Sequence, residues 1–303
     1  MRQLPKLLIS SDRYQECTIA NVTPLRVLFW NLGSAASPFV VSALAAEHEP
    51  DIIVLVESDH GIAVTVEEIN IRTGLRYEIP FSLPSLFQFL IRLPGDRAEP
   101  VYDDSYMAIK HVRPVLGDTF VLAAVHLPSK LFLGADEQAA LCSRWIRHIR
   151  NAETRVGGAR TLVIGDLNMN PFEPGLVGAE GFHAVSSRAV VARNTRTVLG
   201  EERKLFYNPM WSMMGDAAGP PGTYYYHSSK PINYFWNTFD QVLLRPELAR
   251  HFIPGDVAVV SCAGGESLLG ATGTPNKGVS DHLPIIATLR LGDLTDDVNK
   301  FVG

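Results

Sequence analysis

Asp166 and Asn168 are the first residues here whose types and spacing suggest chemistry, at the end of Thr161-Leu162-Val163-Ile164-Gly165-Asp166-Leu167-Asn168. A β-branched and aliphatic run closed by glycine reads as a buried strand delivering polar groups to a sheet rim. At a period of two, residues 166 and 168 point the same way. An acid and an amide on one face can hold a water, a metal or a phosphate oxygen, although Asp and Asn after a strand are also ordinary turn formers. The same pattern recurs: Asn31 after Leu25 to Trp30, Glu57 after Ile52 to Val56, His126 after Phe120 to Val125, Asp240 before Gln241 to Leu244, and Asp281 with His282 before Pro284 to Leu289. Any one of these residues alone reads as a satisfied core group or a solvated strand end. Together they place carboxylates, amides and imidazoles, and never lysine, at one strand end after another. The donors are oxygen-rich and thiol-free, which suits Mg2+ or Mn2+ and not Zn2+.

The elements that must position these groups follow from periodicity. Residues 1–24 show none and carry Pro5 and Pro24, so they read as an N-terminal extension preceding one domain over 25–303. Ser37-Pro38 marks a helix start, with Ser able to cap free N–H groups and Pro suited to the first turn, and the helix is expected to run to about His48. Strand, helix and strand in that order predict a parallel or mixed sheet. Residues 60 to 73 read as helical, then strands are expected at Leu86 to Leu93, Tyr106 to Val112 and Phe120 to Leu127. Gly134 to Ala152 carries an apolar stripe of Ala140, Leu141, Trp145, Ile146 and Ile149, with Arg144, Arg147 and Arg150 on other faces. Residues 171 to 236 are irregular and rich in Gly, Pro and aromatics. Strands return at Asp240 to Arg245, Val257 to Ser261 and Pro284 to Leu289, with a Gly-rich loop over 263 to 278.

Composition bounds the function. At 46% hydrophobic and 19% charged the 303-residue chain is an ordinary globular protein. No segment reaches the roughly 20 apolar residues of a membrane span, and the start has too short an apolar run for a signal peptide, so a cytoplasmic protein is expected. Cys17, Cys142 and Cys262 are far apart and odd in number, arguing against a disulfide framework or a thiolate zinc site. A formal net charge of −5 gives no global attraction to polyanions, so nucleic-acid binding needs local cations or metal ions.

Trp30-Asn31, Val56-Glu57, Val125-His126-Leu127, Gly165-Asp166-Leu167-Asn168, Phe239-Asp240-Gln241-Val242 and Ser280-Asp281-His282-Leu283-Pro284 resemble, in order, the motifs of the endonuclease/exonuclease/phosphatase superfamily, the deoxyribonuclease I-like proteins. The match runs from about residue 25 to 290. The resemblance implies an α/β fold, a four-layer sandwich of two mixed β-sheets flanked by helices, and a site at one rim. It implies that Glu57 binds Mg2+ or Mn2+, with Asn31 and Asp281 forming or supporting that site, and that Asp166 orients and activates the attacking water. Asn168 and His126 would donate to non-bridging phosphate oxygens, and Asp240 would orient His282 against the scissile phosphate. Either His282 or Asp166 remains open as the general base. Two departures stand out. Val56 occupies a position where many relatives have Gln, and Val125-His126-Leu127-Pro128-Ser129-Lys130 looks more like the His-bearing branches than the abasic-site endonucleases. Asp103 and Asp104 cannot be aligned and stay outside the site.

The resemblance implies a divalent-metal-dependent phosphodiester hydrolase. The reading favoured from sequence is a nuclease acting on DNA or RNA, with Lys130, Arg188, Arg193 and Arg196 as candidate substrate-binding cations and Glu201-Glu202 diluting that basic segment. The alternative is a phosphatase or phosphodiesterase for a small phosphate ester or phospholipid head group. An inactive binding module is the third reading, and the intact acids and histidines speak against it. Tyr224-Tyr225-Tyr226-His227 and Tyr234-Phe235-Trp236 suit base stacking, lipid packing or ordinary hairpin packing.

Overall fold

The structure, a computed structural model, describes residues 24–83, 85–131, 133–216 and 219–292. The expected extension over 1–24 therefore lies, apart from Pro24, outside the described residues. The first seven strands are β1 (Leu25–Asn31), β2 (Ile52–Val56), β3 (Gln88–Ile91), β4 (Ala98–Asp103), β5 (Met107–Val112), β6 (Phe120–His126) and β7 (Thr161–Asp166). The long helices are α1 (Pro38–His48), α2 (Ile62–Thr73) and α3 (Ala135–Val156). One sheet runs Val257–Val259, Ile285–Leu289, β1, β2, β3. The other runs β4, β5, β6, β7, Asp240–Leu244, Phe206–Tyr207, Ala184–Val185. Both are mixed: β1 pairs β2 and β6 pairs β7 in parallel, while Asp240–Leu244 runs antiparallel to β7 and Ile285–Leu289 antiparallel to β1.

Alternation along the strands stacks the layers. Val27 and Phe29, Ile52 and Val54, Leu122 and Ala124, and Leu162 and Ile164 share one core between the sheets. Their alternate neighbours face outward, Leu28, Trp30, Ile53 and Leu55 against Val41 and Leu44 of α1 and Ile69 of α2, and Val121, Ala123 and Val125 against Trp145, Ile146 and Ile149 of α3. The order is helices, sheet, sheet, helix, as the sequence resemblance implies. The inward parity that buries Phe29, Ala124, Ile164 and Val242 continues to Asn31, His126, Asp166 and Asp240. The polar strand ends therefore open at the mouth of the gap between the sheets.

Several local expectations change. Ser37 makes no side-chain capping bond, and α1 starts on Pro38 alone. Helix α3 runs past Ala152 to Val156, where Gly157 takes a left-handed conformation and closes it. Strand β4 was not expected because Pro100 interrupts the pattern. It lies at a sheet edge with a register shift between Pro100 and Tyr102, where a missing N–H leaves no central ladder bond unmade. The irregular 171–236 region supplies two short strands of the second sheet and a hairpin of Thr195–Val198 with Glu201–Lys204. No described helix is long and apolar enough to cross a membrane.

Candidate active site

Strand β7 presents Asp166 beside His126, its register partner on β6, and Asp240, its register partner on the other side. Gly165 makes this possible. A Cβ there would sit 1.9 Å from the Val125 carbonyl oxygen, and its φ is +150°, so no larger residue lets β7 lie this close to β6. The strand then ends, and Asn168 adopts a φ of +49°. Asp166 and Asn168 thus meet through a turn and not through an extended period of two. The Asn168 backbone N–H donates to Asp166 Oδ1 at 2.8 Å, and Asn168 Nδ2 donates to Asp166 Oδ2 at 3.2 Å and to the Leu127 carbonyl at 2.8 Å. The Asn168 amide is therefore committed to holding Asp166 and the chain after His126.

By strand parity Glu57 would point away from this cluster. A φ of +52° turns it back at the end of β2, and its Oε1 accepts from Asn31 Nδ2 at 3.2 Å and lies 3.0 Å from His126 Nε2. Asn31 Nδ2 also donates to Asp166 Oδ2 at 3.2 Å. Asn31 is fixed from behind, because its Oδ1 accepts from Gly33 N at 3.1 Å and its carbonyl from Ser280 Oγ at 2.8 Å. Asp281 lies against the same turn, with its Oδ1 2.8 Å from where a Cβ on Gly33 would stand.

His282 is buried. Its Nδ1 is 2.8 Å from Asp240 Oδ2, and its backbone N–H donates to Ser280 Oγ at 3.0 Å. The Nε2 atoms of His282 and His126 each lie 3.9 Å from the same oxygen, Asp166 Oδ2. The structure thus gathers eight predicted residues, Asn31, Glu57, His126, Asp166, Asn168, Asp240, Asp281 and His282, at one rim. Sequence reasoning missed the positioning groups. Trp30 Nε1 donates to the His282 carbonyl at 2.9 Å, Thr223 Oγ1 accepts from Asp240 N at 3.1 Å, and the Tyr224 ring lies 4.7 Å from the His282 ring. Residues 223 and 282 are joined only by tertiary pairing, so no short-range pattern announces them.

Charge in this cluster is interdependent. Burial pushes the Asp166 carboxyl up to about 6, opposed by His282 and reinforced by Asp240. Burial would lower His282, but the Asp240 and Asp166 carboxylates more than offset it and hold the imidazole up to about 10. Burial also disfavours charge on His126, and the hydrogen bond to Glu57 with the Asp166 charge overcomes it, raising that group. The same His126 hydrogen bond lowers Glu57.

The donor set suits a hard divalent cation. Glu57, Asp166, Asp240 and Asp281 crowd carboxylates into one mouth, Glu57 is 42% exposed at its side chain with both its bonds on Oε1, and Asp240 Oδ1 is buried without a partner among the described residues. Asp166, Asp240 and His282 place ligand atoms within 4.8 Å of one another. An imidazole kept protonated between two carboxylates offers no lone pair, which leaves the part-exposed Glu57 carboxylate, oriented by the Asn31 amide, as the group better placed to hold a cation.

The candidate cations are dispersed. Lys130 lies near the site but pairs with Glu173 and faces the Phe239 ring at 5.4 Å. Arg188 donates to the Phe252 carbonyl, past the Leu244 end of a strand whose Asp240 end carries the site. The hairpin holding Arg196, with Arg193 just before it, leads into Leu205, whose carbonyl accepts from Arg245 at that same far end. The structure does not bring Arg188, Arg193 or Arg196 to the site.

The sequence matches no protein-family model and no curated protein. The fold has counterparts among solved structures. An endonuclease/exonuclease/phosphatase family protein from Leptotrichia buccalis matches with a TM-score of 0.54 at 12% identity, over 88% of this chain and 99% of that one. TDP2 of D. rerio complexed with single strand DNA product gives 0.51 at 16% identity, over 88% and 99%, and TDP2 of C. elegans gives 0.50 at 17%, over 88% and 75%. At such identities the likeness concerns the fold: this chain has the α/β sandwich of the endonuclease/exonuclease/phosphatase proteins.

Proposed function

We propose that the protein is a divalent-metal-dependent phosphodiester hydrolase acting on nucleic acid. The observation that carries the reading is the convergence of His126 Nε2 and His282 Nε2 on Asp166 Oδ2, with Glu57 on His126 and Asp240 on His282. A charged His282 and a His126 whose proton is favoured by Glu57 and Asp166, flanking one carboxylate, suit a phosphorane-like transition state. They donate to phosphoryl oxygens as negative charge builds, while the carboxylate takes a proton from the incoming water. The water oxygen forms the new P–O bond, the ester P–O bond breaks, and the leaving oxygen takes up a proton from solvent. Because His282 keeps its proton, Asp166 is the base in this reading and His282 a donor. A cation held by Glu57, with Asn31 and Asp281 supporting that site, would supply further positive charge beside those oxygens. Asn168 holds the Asp166 carboxylate in place, and Asp240 does the same for the His282 ring.

The placement of Arg188, Arg193 and Arg196 away from the rim favours one second reading, hydrolysis of a small phosphate ester, because such a substrate needs no backbone-tracking cations. Purified protein with Mg2+ or Mn2+, offered single- and double-stranded DNA, RNA, bis(p-nitrophenyl) phosphate, and inositol and lipid phosphates, separates the two. Cleavage of an oligonucleotide with kcat/KM above that of every small ester supports the first reading. Turnover confined to a small ester overturns it.

A further inference from the structure

Next to the site a cleft of about 580 Å3 opens between the β4–β5 turn, the chain after His126 and the N-terminal half of α3. It is lined by Asp104, Tyr106, Pro128, Leu141, Arg144 and Trp145 among others, a size and mixture typical of a ligand pocket. Its main chain borders the catalytic rim. The Tyr106 carbonyl accepts from the His126 backbone N–H at 2.9 Å, and the Pro128 carbonyl accepts from Gln138 Nε2, which also donates to the Asn168 carbonyl. The cleft therefore borders the chain that carries His126 and Asn168.

The lining has an aromatic part and a cationic part. Tyr106 is 42% exposed and packs beside the buried Trp145, with ring centroids 5.7 Å apart and planes tilted by 57°, so its ring is braced on one side. Arg144 is exposed on α3 and forms no salt bridge among the described residues. Asp104 shares the cleft but forms no ion pair with Arg144; its Oδ1 accepts from the Tyr106 and Met107 backbone N–H groups and its Oδ2 from the Tyr102 hydroxyl, which fixes that carboxylate on the β4–β5 turn. An aromatic face beside an unpaired guanidinium matches a flat base with an attached phosphate. A base that enters such a cleft cannot also be paired in a duplex.

We propose that this cleft binds the base and phosphate of the nucleotide next to the scissile bond of a single-stranded substrate, with the base on Tyr106 and the phosphate on Arg144. The assignment rests on the nucleic-acid reading above. It is tested by comparing a pentanucleotide, its duplex and bis(p-nitrophenyl) phosphate as substrates of the wild type and of Arg144→Gln, Tyr106→Ala, Tyr106→Phe and Leu141→Trp. Arg144→Gln, Tyr106→Ala and the cleft-filling Leu141→Trp are expected to raise KM for the pentanucleotide about tenfold, the scale of one lost stacking or phosphate contact. Tyr106→Phe keeps the wild-type KM. All four variants hydrolyse bis(p-nitrophenyl) phosphate at the wild-type rate, and the wild type cleaves the duplex more slowly than the single strand. Unchanged pentanucleotide KM values in these variants, equal loss on the small diester, or equal cleavage of the duplex overturn the cleft assignment while leaving the catalytic reading intact. Failure of the wild type to cleave any nucleic acid sinks the reading on which it rests.

Discussion

Asp166 Oδ2 is approached by Asn31, Asn168, His126 and His282, so its proton affinity is set by the whole rim and not by sequence context. With burial pushing it up to about 6, a base that must be ionised gives kcat/KM a plateau above about pH 6 and a tenfold fall per unit below. His282 stays charged up to about 10, so were His282 the base, the rate would instead climb toward that pH. A pH-rate profile from 4.5 to 10 distinguishes the two. Asp240 and His282 act through one oriented ring. Asp240→Asn and His282→Ala are each expected to lower kcat about 10²- to 10³-fold, with the double variant little worse than His282→Ala; strictly additive losses would show that the residues work separately. The identities of the acids, amides and histidines were legible in the sequence because chemistry restricts their types. The charge state of His282 was not, because it depends on two carboxylates brought from residues 166 and 240.

At the scale of elements, the strands that carry the site were readable as apolar runs because both faces of each are buried. What the pattern omitted are elements whose logic is tertiary: edge strand β4 with Pro100, the turn that replaces a strand period between Asp166 and Asn168, and the left-handed break at Glu57. The far end of the same sheet depends on another such contact. Arg245 is fully buried, donates to Glu153 Oε1 at 2.7 Å and lies 3.8 Å from the Phe206 ring centroid. Removing only the acid leaves a buried unpaired charge, so Glu153→Ala is expected to lose about 3–5 kcal/mol of stability. Urea unfolding measures it, and because Glu153 lies at the rim away from Asp166, kcat at a temperature where the variant is folded should stay at the wild-type value. A loss under about 1 kcal/mol would mean that the Arg245 charge is satisfied without Glu153.

For the whole molecule, two sheets back to back create a mouth where every inward-facing strand end contributes a side chain, and the −5 net charge leaves that mouth without a broad basic surround. Arg188, Arg193 and Arg196 were named from their nearness in sequence to the central motif, and sequence distance fails there because the chain crosses to the opposite rim before reaching them. Single-stranded nucleic-acid affinity should accordingly show a shallow salt dependence. One or two phosphate contacts give a slope in log K against log salt of magnitude about 0.7 to 1.4, measurable by binding of the Asp166→Asn form to an oligonucleotide over a salt series. A slope several times steeper would require more phosphate-contacting cations than the described residues place at the rim. The central claim, a cation-dependent hydrolase centred on Glu57 and Asp166, is tested most directly by hydrolysis of bis(p-nitrophenyl) phosphate and a labelled oligonucleotide with Mg2+ or Mn2+, with excess EDTA, and by Glu57→Gln at matched fold. The account predicts turnover with the cation, none with EDTA, and a loss of about a hundredfold or more in the variant that higher cation concentration partly restores. Full activity in EDTA, or an unimpaired Glu57→Gln, would contradict it.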